Sequence, residues 1–441
     1  MAAAHTATKF TSACVSLICT VSEALKTRFQ PQFEQLCLGW LLCLGRPTVS
    51  NLLRAAPDWK QHWTSAHRFF SKSRWWPDDL FEELVKKVID PLIPAEQPWR
   101  IAIDDTTTRK HGRSVAFARQ FRDAARSTLD QPAFHWAHNW ILACVLIPLP
   151  GRIGRYVHLP VLARLFRKKE DCGAHDFRSH GQLAADMIYW LQQWLPQRRF
   201  LVVADRLYVG WEFLKSLPAG ATFVGRMKKN AGLYELPPAT PAGRRGPKRK
   251  KGARLPGLAE AAKTADFVSR TIGAYGGERT KLLHSFVCIW YGVSHSPVRV
   301  VIVRDPQGRD PDAYLFSTDT QMDPAAIVEA YAGRWGIEEA IRELKQSLGF
   351  DSVQSWSRKA VLRQAPLALL LNTLVQVSYF QNHNVRFDAN AKTPKDLPSF
   401  HRMLTELRMG FWQERIIAAF GRTSKAAKLI PRLEATLLTA S

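Results

Sequence analysis

The sequence predicts an α/β protein with helical ends, and three observations carry that expectation. Two short apolar runs, at residues 99–103 and 200–204, read as buried strands, and each runs straight into aspartate: Asp104 and Asp105 after the first, Asp205 after the second. Between them stand a hairpin pattern and an amphipathic helix. Late in the chain, residues 323–348 form one capped helical run whose polar residues recur on a single side.

With 441 residues the chain is long enough for two to four domains or subdomains. Its 62 Lys plus Arg outnumber 38 Asp plus Glu, a net charge of +24. A pI near 10.0 points to a polyanionic partner, nucleic acid before an anionic membrane surface. A hydrophobic share of 46% with 15 Trp and 23 Phe excludes a disordered basic tail. The cysteines, Cys14, Cys19, Cys37, Cys43, Cys144, Cys172 and Cys288, are odd in number and mostly embedded in apolar runs, as suits buried thiols in a reducing cytosol. Cys172, His175 and His180 would make three zinc ligands, but with no fourth nearby they read as a loop. The amino terminus lacks the charged-then-apolar order of a signal peptide. Apolar stretches 36–44 and 140–150 are too short to span a bilayer, and 360–380 carries Arg363, Gln364, Pro366, Asn372 and Gln376. The expectation is a soluble, cytoplasmic protein with no membrane partner.

Residues 1–95 read as a helical DNA-binding region. Segments 21–28, 33–44 and 48–56 show helical periodicity, separated by Pro31 and by Gly45-Arg46-Pro47. Residues 35–56 have the shape of a helix-turn-helix whose second helix carries Ser50, Asn51 and Arg54, although an ordinary helical hairpin fits equally. The aromatic and basic run 62–76 has the composition of a surface that meets phosphates, and 78–89 reads as a capped helix. Residues 96–230 hold the strands described above. Strands at 140–147 and 156–162 join through a tight turn at 150–154, Leu183, Met187, Ile188, Leu191 and Leu195 mark the helix, and 221–225 is a fifth strand. Residues 231–321 read as an inserted β subdomain, with a basic loop at 238–257 and strands at 284–291, 298–304 and 313–316. The core resumes over 322–381, including an apolar helix at 360–380. Residues 382–441 form a helical C-terminal region, with helices at 396–419 and 423–438.

In the run 323–348, Asp323 caps the free backbone N–H groups, Pro324 tolerates the first helical position, and Gly349 is the stop. At about 100° per residue, Tyr331, Arg334, Glu338 and Lys345 fall within roughly 60° of one another. Ile327, Ala330, Ile337, Ile341, Leu344 and Leu348 make a second stripe, about 80° away, that faces the core. Gly333 and Gly336 weaken a helix that must still form, so something packs closely against it.

The spacing Tyr-x2-Arg-x3-Glu-x6-Lys, with Asp105 and Asp205 upstream, resembles the signature of bacterial insertion-sequence transposases of the DDE type. The order strand, hairpin, helix, strand is that of their ribonuclease-H-like core. The expected fold is therefore α/β: a ribonuclease-H-like catalytic core with an inserted mostly-β subdomain, flanked by helical N- and C-terminal regions. The gap of 132 residues between Asp205 and Glu338 is far more than a connection needs, and an insertion there is what the resemblance implies.

The resemblance implies that Asp105, Asp205 and Glu338 hold two Mg²⁺ ions, with Mn²⁺ as a substitute. Such ions activate a water or a 3′-hydroxyl and stabilise the leaving oxygen of an in-line phosphoryl transfer. Asp104 and Asp105 point to opposite sheet faces if the strand continues, so only one faces the metal. The family pattern puts the catalytic aspartate directly before the threonines, which selects Asp105. Glu339 is rotated about 100° off the face of Glu338. Tyr331, Arg334 and Lys345 are implied to hold phosphates. Tyr314 and Trp290 are candidates to stack on a flipped base, although a core aromatic fits each at least as well. Arg54, Lys248, Arg249 and Lys250 are further candidate DNA contacts. The partners implied are double-stranded DNA, at transposon ends and target, and a second copy of the chain in a homodimer. The location implied is the bacterial cytoplasm, at the nucleoid. A catalytically inactive DNA-binding regulator, or a nuclease without strand transfer, is the alternative.

Overall fold

A single ten-stranded sheet runs through the chain. The computed structural model describes residues 2–57, 62–123, 126–128, 130–173, 175–238, 249–385, 387, 397–421, 423, 428–433 and 436. In chain order the strands are β1 (Trp99–Arg109), β2 (Arg119–Arg122), β3 (Phe134–Pro148), β4 (Tyr156–Phe166), β5 (Phe200–Ala204), β6 (Ala221–Arg226), β7 (Val268–Ala274), β8 (Gly277–Ile289), β9 (Pro297–Arg304) and β10 (Ala313–Ser317). The helices are α1 (Ala2–Ser22), α2 (Gln30–Leu42), α3 (Val49–Ala55), α4 (Trp63–Ser71), α5 (Pro77–Glu83), α6 (His180–Trp194), α7 (Trp211–Ser216), α8 (Leu258–Thr264), α9 (Pro324–Gly333), α10 (Gly336–Leu348), α11 (Arg358–Asn382) and α12 (Phe400–Phe420).

One half of the sheet has the order β4-β3-β1-β5-β6. Strand β3 is antiparallel to both β1 and β4, while β1, β5 and β6 are parallel to one another. This is the ribonuclease-H-like core expected from the order of the elements. Its strands read as continuous apolar runs because both faces are covered. All five residues of β5 are buried, as are eleven consecutive residues of β3. The inserted strands are not set apart from this core. Strand β10 pairs antiparallel with β6 and is followed outward by β9, β8 and β7, so the insertion lengthens the same sheet. Strand β7 is not legible in the sequence reading. Its outer residues alternate among Ser, Arg and Thr, and the turn into β8 rests on Tyr275 and Gly276, both at positive φ.

Helix α11 is the apolar spine behind the core. It packs on β4, α1, α4 and α12, and its membrane-length apolar stretch is 94% buried inside the protein. The polar residues in it have internal partners. Arg363 donates to Phe70 O at 3.0 Å, Gln364 to Pro47 O at 2.9 Å, Thr373 to Pro160 O at 2.6 Å and Gln376 to His158 O at 3.1 Å. These bonds tie the N-terminal helices and β4 to the same helix. Helix α1 lies upstream of the helix expected at 21–28 and ends near its start. Phe10, Cys14, Ile18 and Val21, on one side of it, are fully buried. Tertiary packing thus supports a helix whose Thr, Ser, Cys and Val content offers little propensity. Helices α2 and α3 cross at Gly39, where a Cβ would stand 2.3 Å from Leu52 O, whereas Gly45 in the turn is in open space. Of the two C-terminal helices expected, the first is α12, and only parts of 423–438 lie among the described residues.

Candidate active site

Strand β1 outruns its parallel neighbour. Its last pair with β5 is Ile103 with Ala204, while its pairing with β3 continues to Arg109 with Ala137. Asp105 therefore does not end its strand, as the sequence reading expected; instead β5 ends beside it. The β-branched run Thr106, Thr107 and Thr108 explains the extension. From Asp104 onward, β1 borders an open edge, and Asp205 follows the end of β5 at that edge.

Because the strand continues, Asp104 and Asp105 point to opposite faces. Asp104 Oδ2 accepts from Arg334 NH1 at 2.8 Å. Asp105 Oδ2 accepts from the Asn139 side-chain amide at 2.7 Å. The other end of that amide, Oδ1, is 3.2 Å from His180 Nε2, and the His180 ring stacks on Phe166 with centroids 4.0 Å apart. Burial lowers His180, so the neutral ring donates to Asn139 and fixes the amide as a donor to Asp105. Asp205 Oδ1 accepts the Leu207 N–H at 2.7 Å and so caps the short turn Arg206–Tyr208 while closing β5.

The third element is the pair α9 and α10. Asp323 accepts from Ala325 N at 2.8 Å and Ala326 N at 3.3 Å, and Gly349 ends α10 in the left-handed region at φ 61°. The sequence reading expected one helix here; the chain makes two. At the junction the N–H groups of Arg334, Trp335, Ile337 and Glu338 each reach back three residues, at 3.0 to 3.2 Å, a tightened turn that ends α9 and starts α10. The close packing expected from the glycines is present. A Cβ at Gly333 would stand 2.9 Å from the Tyr156 ring, and one at Gly336 would stand 1.6 Å from His158 Nε2.

Arg334 joins these elements. Its NH2 bonds Glu338 Oε1 at 2.8 Å while NH1 holds Asp104, so the guanidinium bridges β1 and α10. Tyr331 lies beside it, with the guanidinium carbon 5.9 Å from the ring centroid. Lys345 donates to Thr107 O at 2.9 Å, farther along β1. Glu339 turns away, 3.9 Å from His158. Asp104, Arg334, Glu338 and Tyr331 are thus gathered on one side, Asp105 meets Asn139, His180 and Tyr208 on the other, and Asp205 is near enough for its charge to reach both Asp104 and Tyr208. Burial pushes Asp104 up to about 6 against the pull of Arg334, and the charges of Asp105 and Asp205 add to the rise. Burial and the same three carboxylates hold the Tyr208 phenol well above its usual value.

The donor set suits a hard divalent cation, since carboxylate oxygens from three elements crowd one strand edge. A guanidinium already occupies the gap between Asp104 and Glu338. As the side chains stand, no three His, Cys, Asp or Glu side chains among the described residues converge closely enough to hold one ion. Cys172, His175 and His180 do not converge either, and His180 is turned to Asn139.

The other candidate DNA contacts are scattered. Arg54 on α3 bonds Asn51 at 3.1 Å and lies over the Trp63 ring at 5.7 Å. Trp290 is 7% exposed, with its ring packed edge-on to Phe316, the setting of a core aromatic. Tyr314 on β10 is partly buried next to Asp312 and Arg304. Arg249 and Lys250 are exposed, and Lys248 lies outside the described residues. Asn139 is not read as a site residue from the sequence, and His180 is weighed there only as a zinc ligand with Cys172 and His175, not as a partner of the carboxylates. The available signal was an asparagine opening the otherwise apolar run 140–147.

Two family models match the chain. Residues 20–284, which hold Asp105 and Asp205, match the family described as DDE superfamily endonuclease. Residues 289–384, which hold Tyr331 through Lys345, match the one described as Archaeal putative transposase ISC1217. No curated protein matches.

Proposed function

The chain belongs to the DDE superfamily endonucleases, and from that premise we propose that it is a DNA transposase that cuts the ends of an insertion sequence and joins them to a target. The observation that carries this reading is the Arg334 bridge between Asp104 on β1 and Glu338 on α10. It brings the third carboxylate of the signature helix to the strand edge where Asp105 and Asp205 stand.

Asp105, Asp205 and Glu338 are the proposed metal ligands. Asp104 is neutralised by Arg334, whereas the recorded partner of Asp105 is a neutral amide, which leaves its charge for a cation. Held by these three carboxylates, two Mg²⁺ ions would supply Lewis-acid activation of an attacking oxygen and charge stabilisation of a leaving oxygen. The rest is the work of this chain. Asn139, held by His180, orients Asp105; Asp205 is fixed by its bond to the Leu207 N–H; Arg334 and Lys345 supply positive charge for the phosphates beside the cut, and Tyr331 offers a hydroxyl. Arg54, Arg249, Lys250, Lys248 and Tyr314 would extend the contact with DNA, while Trp290, being buried, would support the fold. The net charge of +24 favours a polyanionic partner. Pairing two ends calls for a homodimer on the DNA, and the bacterial nucleoid is the place of action.

The test is a cleavage and joining assay with Mg²⁺ on a duplex carrying the repeat that flanks the gene. Nicking and strand-transfer products are expected from the natural protein. Activity that survives Asp205→Asn or Glu338→Gln would defeat the assignment, and nicking without joined products would leave a nuclease.

A further inference from the structure

Arg334 is the cation that the carboxylate cluster holds. Its two terminal nitrogens are each 2.8 Å from a carboxylate oxygen, and its side chain is 13% exposed. Its third nitrogen, Nε, is buried with no acceptor. A guanidinium with one edge unsatisfied is ready for a further acceptor, and phosphate oxygens match the planar fork as well as carboxylates do.

The same bonds take one oxygen of Glu338 and tie it to Asp104. A cation seeking Glu338 therefore competes with Arg334, since both are positive and both are drawn to the same carboxylate. A DNA phosphate competes in the opposite sense, for Arg334. Drawing the guanidinium onto a phosphate would free Glu338 and remove a positive charge from the place a metal ion must enter. We propose that Arg334 is an internal counter-cation that closes the carboxylate cluster until a DNA strand takes it, so that DNA and divalent metal bind cooperatively through this one side chain. The proposal rests on the reading of Asp205 and Glu338 as metal ligands. The competing role for Arg334 is that of a scaffold which orients Glu338 for the metal, and the two roles differ in sign. Removing a counter-cation tightens metal binding; removing a scaffold weakens it.

Calorimetric titration of the full chain with Mn²⁺, with and without the duplex used above, reads that sign directly. The Asp205→Asn variant supplies the blank. Arg334→Gln is expected to bind Mn²⁺ about five- to a hundredfold more tightly than the natural protein in the absence of DNA, the usual range of such couplings. DNA should tighten Mn²⁺ binding by a similar factor in the natural protein and hardly at all in the variant, because coupling between two ligands is reciprocal. Unchanged or weaker Mn²⁺ binding by Arg334→Gln overturns the proposal while leaving the metal site standing. Absence of any Mn²⁺ signal that depends on Asp205 removes the metal reading itself. If circular dichroism shows that Arg334→Gln does not fold, Arg334→Met takes its place, since methionine fills much of the same space with neither charge nor donors, and the same signs decide.

Discussion

Gly336 lies so close to His158 that a Cβ placed on it would stand 1.6 Å from the ring nitrogen Nε2. Burial, reinforced by the charge of Arg155, lowers His158 to about 4, so near pH 7 a neutral imidazole packs against the first turn of α10. The contact sets how near the signature helix comes to the sheet. Gly336→Ala is expected to destabilise the protein by about 3 kcal/mol through overpacking. The denaturant midpoint should fall with little change in slope. His158→Ala should relieve the clash, so the double variant should be more stable than the sum of the two single effects; strict additivity would mean that the contact is not the cause.

The division between Asp104 and Asp105 makes a second prediction. Asp105→Asn should abolish Mg²⁺-dependent cleavage with DNA binding kept. Asp104→Asn should leave measurable cleavage and keep or tighten DNA binding, because Arg334 is then released toward the phosphate. Asn139→Leu should slow cleavage about tenfold or more, as expected when a group that orients a ligand is lost. Cleavage assays paired with gel-shift titrations separate these outcomes. Full activity in Asp105→Asn together with none in Asp104→Asn would reverse the assignment of the pair.

The parts of this site that were legible in the sequence are those set by local chemistry. Asp323, Pro324 and Gly349 announce helix ends through hydrogen bonds and backbone angles that need no tertiary context. Apolar runs ending in aspartate announced β1 and β5. What the sequence does not carry is where a neighbour stops. The rise in polarity predicts a strand end at Asp105, yet β3 pairs along β1 to Arg109 and only β5 terminates. The break between α9 and α10 was hidden for a similar reason. Helical periodicity persists across Arg334 and Trp335, and it is the ring of His158 pressed on Gly336 that accompanies the tightened turn. The Asn139 and His180 link to Asp105 joins residues from three separate elements, and no spacing rule reports such a contact.

Lys345 gives a prediction on binding. It donates to Thr107 O, so its ammonium is held beside β1 and is lowered by burial. A lysine that neutralises one phosphate contributes about 0.9 to the slope of log affinity against log salt. Lys345→Met should therefore weaken binding to duplex DNA at low salt and reduce that slope by about one. Fluorescence anisotropy across a salt series would measure it. An unchanged slope would mean that Lys345 serves only to tie α10 to β1.

The last prediction concerns Glu343, one turn beyond the signature glutamate. Burial, with the charge of Glu339 beside it, pushes its carboxyl up from 4.5 to about 7, while Arg342 and the Phe400 N–H oppose the rise. A carboxyl raised in the folded state favours folding while it stays protonated. That contribution is complete below pH 4.5 and is lost as pH rises through about 7. Above that, folding must hold a partly buried negative charge between α10 and α12. Glu343→Gln should therefore be nearly neutral at pH 4 and stabilising at pH 8. At roughly 1.4 kcal/mol per pH unit, discounted because the side chain is partly exposed, the gain should be about 1–2 kcal/mol. Denaturant midpoints of the two proteins at the two pH values give the comparison. A gain that is the same at both would show that the effect is packing and not charge, and a loss at pH 8 would show that the ionised carboxylate is held by partners stronger than Arg342 and the Phe400 N–H.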